Sequence, residues 1–359
     1  MTDPRDEQYA RILVETCIDV QPGWQVVVTA SPLARPLLSE VCRALARRGA
    51  YALVRSLDGL GPTPKEWIKE APAELLRKMP PLEEHVLLHA DAFMALVAPE
   101  NTRDGSDIEP RRLQLLQESG RPVMERLLSG GTPWVGCHYP TAALAQDAGM
   151  TLEQFSDFLY GSVLIDWAAE RERMTAIKEL FDAADEVRIV GDGTDLRLSV
   201  RGREGMVDAG GANMPGGEVF YSPVENSAEG TIAFSEFPGV YAGREMDGIT
   251  FTFSEGRIVE ASARLNEDFL LATLDTDDGS RRLGELGIGC NPGITQHMKN
   301  AAFDEKIDGT VHLAVGKGFP ELGGRNESIV HWDIVKDLRR GGRLEVDGRV
   351  VQESGKWLA

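Results

Sequence analysis

Val311-His312-Leu313-Ala314-Val315-Gly316 and, shortly after, Ser328-Ile329-Val330-His331-Trp332-Asp333 read as two β-strands. Together they carry three metal-type side chains within 22 positions. Successive side chains of a strand point to opposite faces. His331 and Asp333 therefore share one face, and Val330, Trp332 and Ile334 take the other. His312 opposes Val311 and Leu313 in the same way. Each strand thus sets imidazole or carboxylate on an apolar backing, as a divalent metal site requires.

The surroundings of these strands are β-rich. From Val187 onward, short alternating segments are separated by Gly, Asp and Asn turns: 186–190, 195–200, 219–222, 230–234, 249–253 and 257–263. A helical stretch, Glu267–Leu274, is inserted among them. Period-2 runs bounded by turn residues predict a mostly antiparallel sheet. The first half has a different rhythm. Tyr9 to Cys17 has helical spacing, Pro22-Gly23 marks a turn, and Trp24 to Ala30 is a short apolar strand. Leu33 to Arg48 is an amphipathic helix closed by Gly49, followed by strands at Ala50–Ser56 and Ala92–Val97. Strand–helix alternation predicts an α/β layer on a parallel sheet. Leu152 to Leu180 reads as helical throughout. We place the boundary near residue 183. An α/β domain with a mostly parallel sheet covers 1–183, and an α+β catalytic domain with a mostly antiparallel sheet covers 184–359.

Composition narrows the function. The 359 residues suit two domains, and 42% hydrophobic with 26% charged residues is the make-up of a globular enzyme. No apolar run approaches the roughly 20 residues needed to span a bilayer. The acidic N-terminus, Met1-Thr2-Asp3-Pro4-Arg5-Asp6-Glu7, does not read as a signal peptide, so a cytoplasmic location is expected. Cys17, Cys42, Cys137 and Cys290 lie far apart with no CxxC spacing, which points to buried thiols and away from a disulfide framework or zinc knuckle. A net charge of −19 disfavours nucleic acid and anionic membrane as partners. There is no GxGxxG and no Walker-type loop, so no nucleotide site is expected. His138-Tyr139-Pro140-Thr141 reads as a turn before the helix at 142–147.

Further unusual placements gather in the second half. Glu285 sits in Leu283-Gly284-Glu285-Leu286-Gly287-Ile288-Gly289, where a carboxylate among glycines and aliphatics would be costly to bury alone. Glu218 follows Met214-Pro215-Gly216-Gly217 and stands where a loop enters a strand. Glu305, in Phe303-Asp304-Glu305-Lys306, lies on the approach to the His312 strand. Two histidines and three carboxylates suit zinc, cobalt, manganese or iron. Five donors exceed what one catalytic zinc takes, and fit two ions sharing a carboxylate and water. Glu305 is then free to act as a base.

Several segments resemble the aminopeptidase T / aminopeptidase S family of metalloaminopeptidases. They are Asn213-Met214-Pro215-Gly216-Gly217-Glu218-Val219-Phe220, Leu283-Gly284-Glu285, Asp304-Glu305-Lys306, His312-Leu313-Ala314-Val315-Gly316, Asn326-Glu327-Ser328 and His331-Trp332-Asp333. The first half matches more diffusely, through Pro22-Gly23 and Gly193-Thr194-Asp195-Leu196. The resemblance implies two divalent ions per subunit, of zinc, cobalt, manganese or magnesium. Their ligands would be Glu218, Glu285, His312, His331 and Asp333, with Glu305 as general base. It also implies small peptides with a free N-terminus as substrates, and a homodimer. One departure is Phe319, where the family usually has a tyrosine seven residues after the first histidine. Loss of an oxyanion donor costs roughly 10²–10³ in rate; Tyr241 is a candidate replacement.

Two rivals remain at this level. Ring-cleaving dihydroxypyridine dioxygenases look like distant relatives and use a two-histidine, one-carboxylate triad for ferrous iron. Glu218 and Glu285 argue against that reading, and Phe319 points weakly toward it. A non-enzymatic scaffold is the second rival, opposed by the full ligand set.

Overall fold

The computed structural model describes residues 3–57, 63–128 and 131–358. The chain divides into two compact units: Met1–Ile165 with Gly210–Gly216, and Asp166–Ala209 with Gly217–Ala359.

The first unit is built on a parallel five-stranded sheet. Its order is Tyr51–Ser56, Gln25–Ala30, Ala92–Val97, Trp134–His138 and Asn213–Met214. The interior strand Gln25–Ala30 is apolar because it is covered; Val26, Val27 and Val28 are all buried. Helix Arg35–Arg47 buries Leu37, Val41, Ala44 and Leu45 along one side. It ends where Gly49 adopts a φ of +75°, a conformation that favours glycine. Four helices escaped the periodicity reading: Lys65–Glu70, Ala73–Leu76, Pro81–His89 and Pro110–Leu128. The first three are single or double turns preceded by Pro64, Pro72 and Pro80, so their apolar pattern is too short to read. Lys65–Glu70, Ala73–Leu76 and Pro110–Leu128 share a separate cluster of Ile68, Ala71, Leu76, Ile108 and Leu115.

The expected continuous helix over 152–180 is two helices, Leu152–Val163 and Trp167–Asp182. Leu164 leaves helical geometry at φ −91°, ψ 51°. Asp166 then restarts the helix, its carboxylate accepting from the amides of Ala168 and Ala169 at 3.1 Å each. The second helix belongs to the second unit, which begins at Asp166.

The second unit carries two large antiparallel sheets. One has eight strands, in the order Arg257–Ser262, Ile249–Ser254, Glu229–Phe234, Thr194–Ser199, Glu186–Gly191, Arg343–Val346, Arg349–Glu353 and Lys356–Trp357. The other has five, in the order His331–Asp337, Thr310–Gly316, Leu283–Gly289, Glu218–Tyr221 and Met206–Asp208. Every residue of Leu283–Gly289 and Thr310–Gly316 is buried, so these strands are covered on both faces. Helix Trp167–Asp182 packs on the five-stranded sheet through Phe181, whose ring lies 5.9 Å from that of Tyr221. The Tyr221 hydroxyl donates to the carbonyl of Lys178 at 2.9 Å. The four cysteines form no disulfide. Among the described residues, no helix is long and apolar enough to cross a membrane.

Candidate metal centre

The register of the five-stranded sheet decides what its polar side chains can reach. Across the ladder, Glu218 lies opposite Gly289, His312 opposite Gly287, Asp333 opposite Ala314 and His331 opposite Gly316. Glu285 also lies opposite Ala314, from the other side. Directly opposed residues share a face, and residues two apart in a strand share it too. Glu218, Glu285, His312, His331 and Asp333 therefore all project from one face, each against glycine or alanine. A glycine in a strand leaves room for a neighbour to approach closely. Gly287 is the clearest case: a Cβ there would overlap the imidazole of His312.

The five side chains meet in two overlapping groups, Glu218 with Glu285 and His312, and Glu285 with His331 and Asp333. Within each group, one ligand atom per residue lies within 4.8 Å of the others. Glu285 belongs to both. Its Oε1 is 3.2 Å from His312 Nε2, and its Oε2 is 3.3 Å from His331 Nε2. Glu218 Oε2 is 3.5 Å from His312 Nε2, and Asp333 Oδ2 is 3.7 Å from His331 Nε2. Both rings are oriented from behind. His312 Nδ1 lies 3.0 Å from the carbonyl oxygen of Glu305, and His331 Nδ1 lies 2.9 Å from that of Lys317. Carbonyls accept only, so each Nδ1 donates and each Nε2 faces the group, as metal-binding histidines are commonly held.

The electrostatics are those of crowded charge in a buried place. Burial alone would raise Glu285, but hydrogen bonds from His312 and His331 outweigh it and hold the carboxyl at about 2. Burial opposes protonation of the imidazoles, yet Glu285 pushes His312 up to about 10 and His331 up to about 9. Glu218 is raised to about 8, by burial first and against the pull of Lys306. Asp333 is raised to about 7 by burial and by its carboxylate neighbours Glu285 and Glu305. Glu218 Oε2 and Asp333 Oδ1 are buried with no hydrogen-bond partner. Such orphaned acceptors cost about 1–3 kcal/mol each unless something cationic satisfies them. Mixed nitrogen and oxygen donors with orphaned carboxylate oxygens among them fit divalent metal ions.

Glu305 follows the short helix Ala301–Asp304 and is one of the residues lining a narrow cleft with Asp333, His297, Gly239 and Val240. Three neighbours lacked an assigned role in the sequence reading. Lys306 is fully buried, donates to Glu305 and lies 3.1 Å from Glu218 Oε1. Asp208 lies opposite Glu218 on the same face. His297 stacks on Phe237 with ring centroids 4.8 Å apart, its Nε2 3.2 Å from Asp304. None of the three gave a periodic signal in the sequence. Phe319 packs edge-on against His331 at 5.3 Å and against Phe220 at 5.4 Å. Tyr241 packs on the buried Trp332, 5.6 Å between centroids.

A histidine–carboxylate face on an antiparallel sheet, in a chain that also carries a parallel α/β unit, defines a candidate divalent-metal protein. The chain belongs to the thermophilic metalloprotease family (M29), whose model matches residues 2–357. Divalent metal use and peptide-bond hydrolysis come with that membership. Aminopeptidase 2 of Geobacillus stearothermophilus is 26% identical, with 98% of this chain and 97% of the relative covered. Aminopeptidase T of Thermus thermophilus is also 26% identical, with 98% of each chain covered. The solved structure of wild-type AmpT from Thermus thermophilus matches with a TM-score of 0.82 at 22% identity over 99% of each chain, which shows a shared fold. The alternative of a ring-cleaving iron dioxygenase finds no support in these likenesses.

Proposed function

We propose that this chain is an aminopeptidase that removes N-terminal residues from peptides, using two divalent ions held by Glu218, Glu285, His312, His331 and Asp333. The observation that carries the reading is Glu285. One carboxylate reaches both imidazoles, and the two ligand groups it joins have the composition of two adjacent metal sites. Ions bound there would supply an activated water and polarise the scissile carbonyl. Glu305, beside Asp333 at the cleft, takes up the proton of the attacking water and returns it to the leaving amine. A substrate's free α-amine would bind near an ion or a carboxylate of this face. Phe319 contributes ring surface beside His331 and no hydroxyl, so stabilisation of the oxyanion rests on other donors. We further read the protein as a cytoplasmic homodimer. The family resemblance supports the dimer, and four cysteines without a disulfide suit a reducing compartment.

The test is hydrolysis of aminoacyl-anilides by metal-loaded protein, with the α-amine free or acetylated. Cleavage confined to the free-amine substrates is expected. Equal cleavage of the acetylated series would overturn the exopeptidase reading.

A further inference from the structure

We propose that Lys306 is a positioning residue whose ammonium divides the work of Glu218 and Glu305. It turns Glu218 toward the ligand group with a single oxygen and fixes the carboxylate of Glu305 for proton transfer. The inference rests on the metal-binding reading above.

Lys306 has no exposed side-chain surface. An ammonium offers three donors and no acceptor, so in a buried place its directions of donation are its function. Here Nζ takes Oε1 of Glu218 at 3.1 Å and donates to Oε1 of Glu305. Glu218 is left with Oε2, which has no hydrogen-bond partner and points toward His312 Nε2 at 3.5 Å. The main chain holds the lysine from both sides. Its amide donates to the carbonyl of Phe303 at 3.0 Å, and its carbonyl accepts from the amide of Asn291 at 2.9 Å. The preceding turn is fastened by Asp304, which accepts from the amides of Met298 at 2.5 Å and Asn300 at 2.7 Å.

Charge points the same way. Asp208, Glu218, Glu285, Glu305 and Asp333 place five carboxylates on or beside this face. Two divalent ions balance four of them, and one fixed cation balances the fifth. Without the ammonium, Glu218 is free to present both oxygens, and Glu218 with Glu305 becomes a chelating pair for another cation. A lysine that merely neutralised the core would leave the coordination of the ions unaffected.

The experiment compares wild-type protein with Lys306→Met, both loaded with cobalt(II). Three readouts are followed: ions bound per chain, visible d–d absorption, and kcat and KM on an aminoacyl-anilide. Two ions per wild-type chain are expected. In the variant, d–d absorption should weaken as Glu218 adds a second oxygen and the coordination number rises. Its kcat should fall about 100-fold with KM nearly unchanged, the scale of a misplaced acid–base group. Lys306→Gln, uncharged and one bond shorter, cannot hold both carboxylates as the ammonium does, so it should show the same changes and serves if the methionine variant does not fold. A folded variant with wild-type absorption and kcat would overturn the proposal, as would failure of both variants to fold, which would make Lys306 structural. A wild-type protein that takes up no cobalt would overturn the metal reading itself.

Discussion

Glu285 spends one oxygen on each imidazole, at 3.2 Å and 3.3 Å, and is almost fully buried. A side chain shared in this way predicts an unequal mutational pattern. Glu285→Gln should weaken binding of both ions by at least about 100-fold, since charge and a shared donor go together. Asp333→Asn should weaken one ion and spare the other. Calorimetric metal titration checks this; two unaffected sites in Glu285→Gln would contradict it. Glu305→Gln should keep both ions and lose roughly 10²–10⁴ in kcat. At this scale the sequence was informative where a polar residue broke an apolar strand, as at His312, or stood among glycines, as at Glu285. It was silent on Lys306, because a lysine beside a glutamate reads as a surface pair until the fold buries it.

The strands themselves were legible because alternation is local. Val311–Val315 was expected and Thr310–Gly316 is found; Glu267–Leu274 was expected and found as a helix. What alternation cannot supply is register. That Gly287 faces His312 and Gly316 faces His331 depends on which strands pair, and the ladder fixes it. Gly287 is therefore room for the His312 ring, while a Cβ at Gly284 or Gly289 would meet main-chain carbonyls. Gly287→Ala should expel the His312 ring from its place. Metal affinity should fall as steeply as in His312→Ala, with a stability loss of about 1–3 kcal/mol from overpacking. Wild-type affinity in Gly287→Ala would refute this account of the ladder. Proline-led short helices such as Ala73–Leu76 stayed hidden for the opposite reason, having too few turns for any period to emerge.

Over the whole molecule, the site couples stability to pH. His331 is raised from 6.5 to about 9 and His312 to about 10, because Glu285 outweighs the burial that disfavours their charge. A histidine raised in the folded state binds its proton more tightly there than in the unfolded chain. Its contribution is complete below pH 6.5 and is lost as pH rises through about 9. Asp333, raised from 3.8 to about 7 by burial, acts in the same direction at lower pH. His297, lowered to about 4 by burial, acts oppositely, and its influence ends near pH 6.5. Chelated protein should therefore lose thermal stability between pH 6.5 and 9. Metal-loaded protein should lose less, because ions replace those protons, and the gap in Tm should widen across the window. A chelated Tm that holds or rises there would contradict the assignment.

The family model spans residues 2–357 and so takes in both units, while the candidate metal face lies in the second. The central claim is that this one sheet face holds two ions. It is tested most directly by elemental analysis of protein purified without chelator. Two divalent ions per chain are expected; a single ion, or none after reconstitution, would contradict a two-ion site.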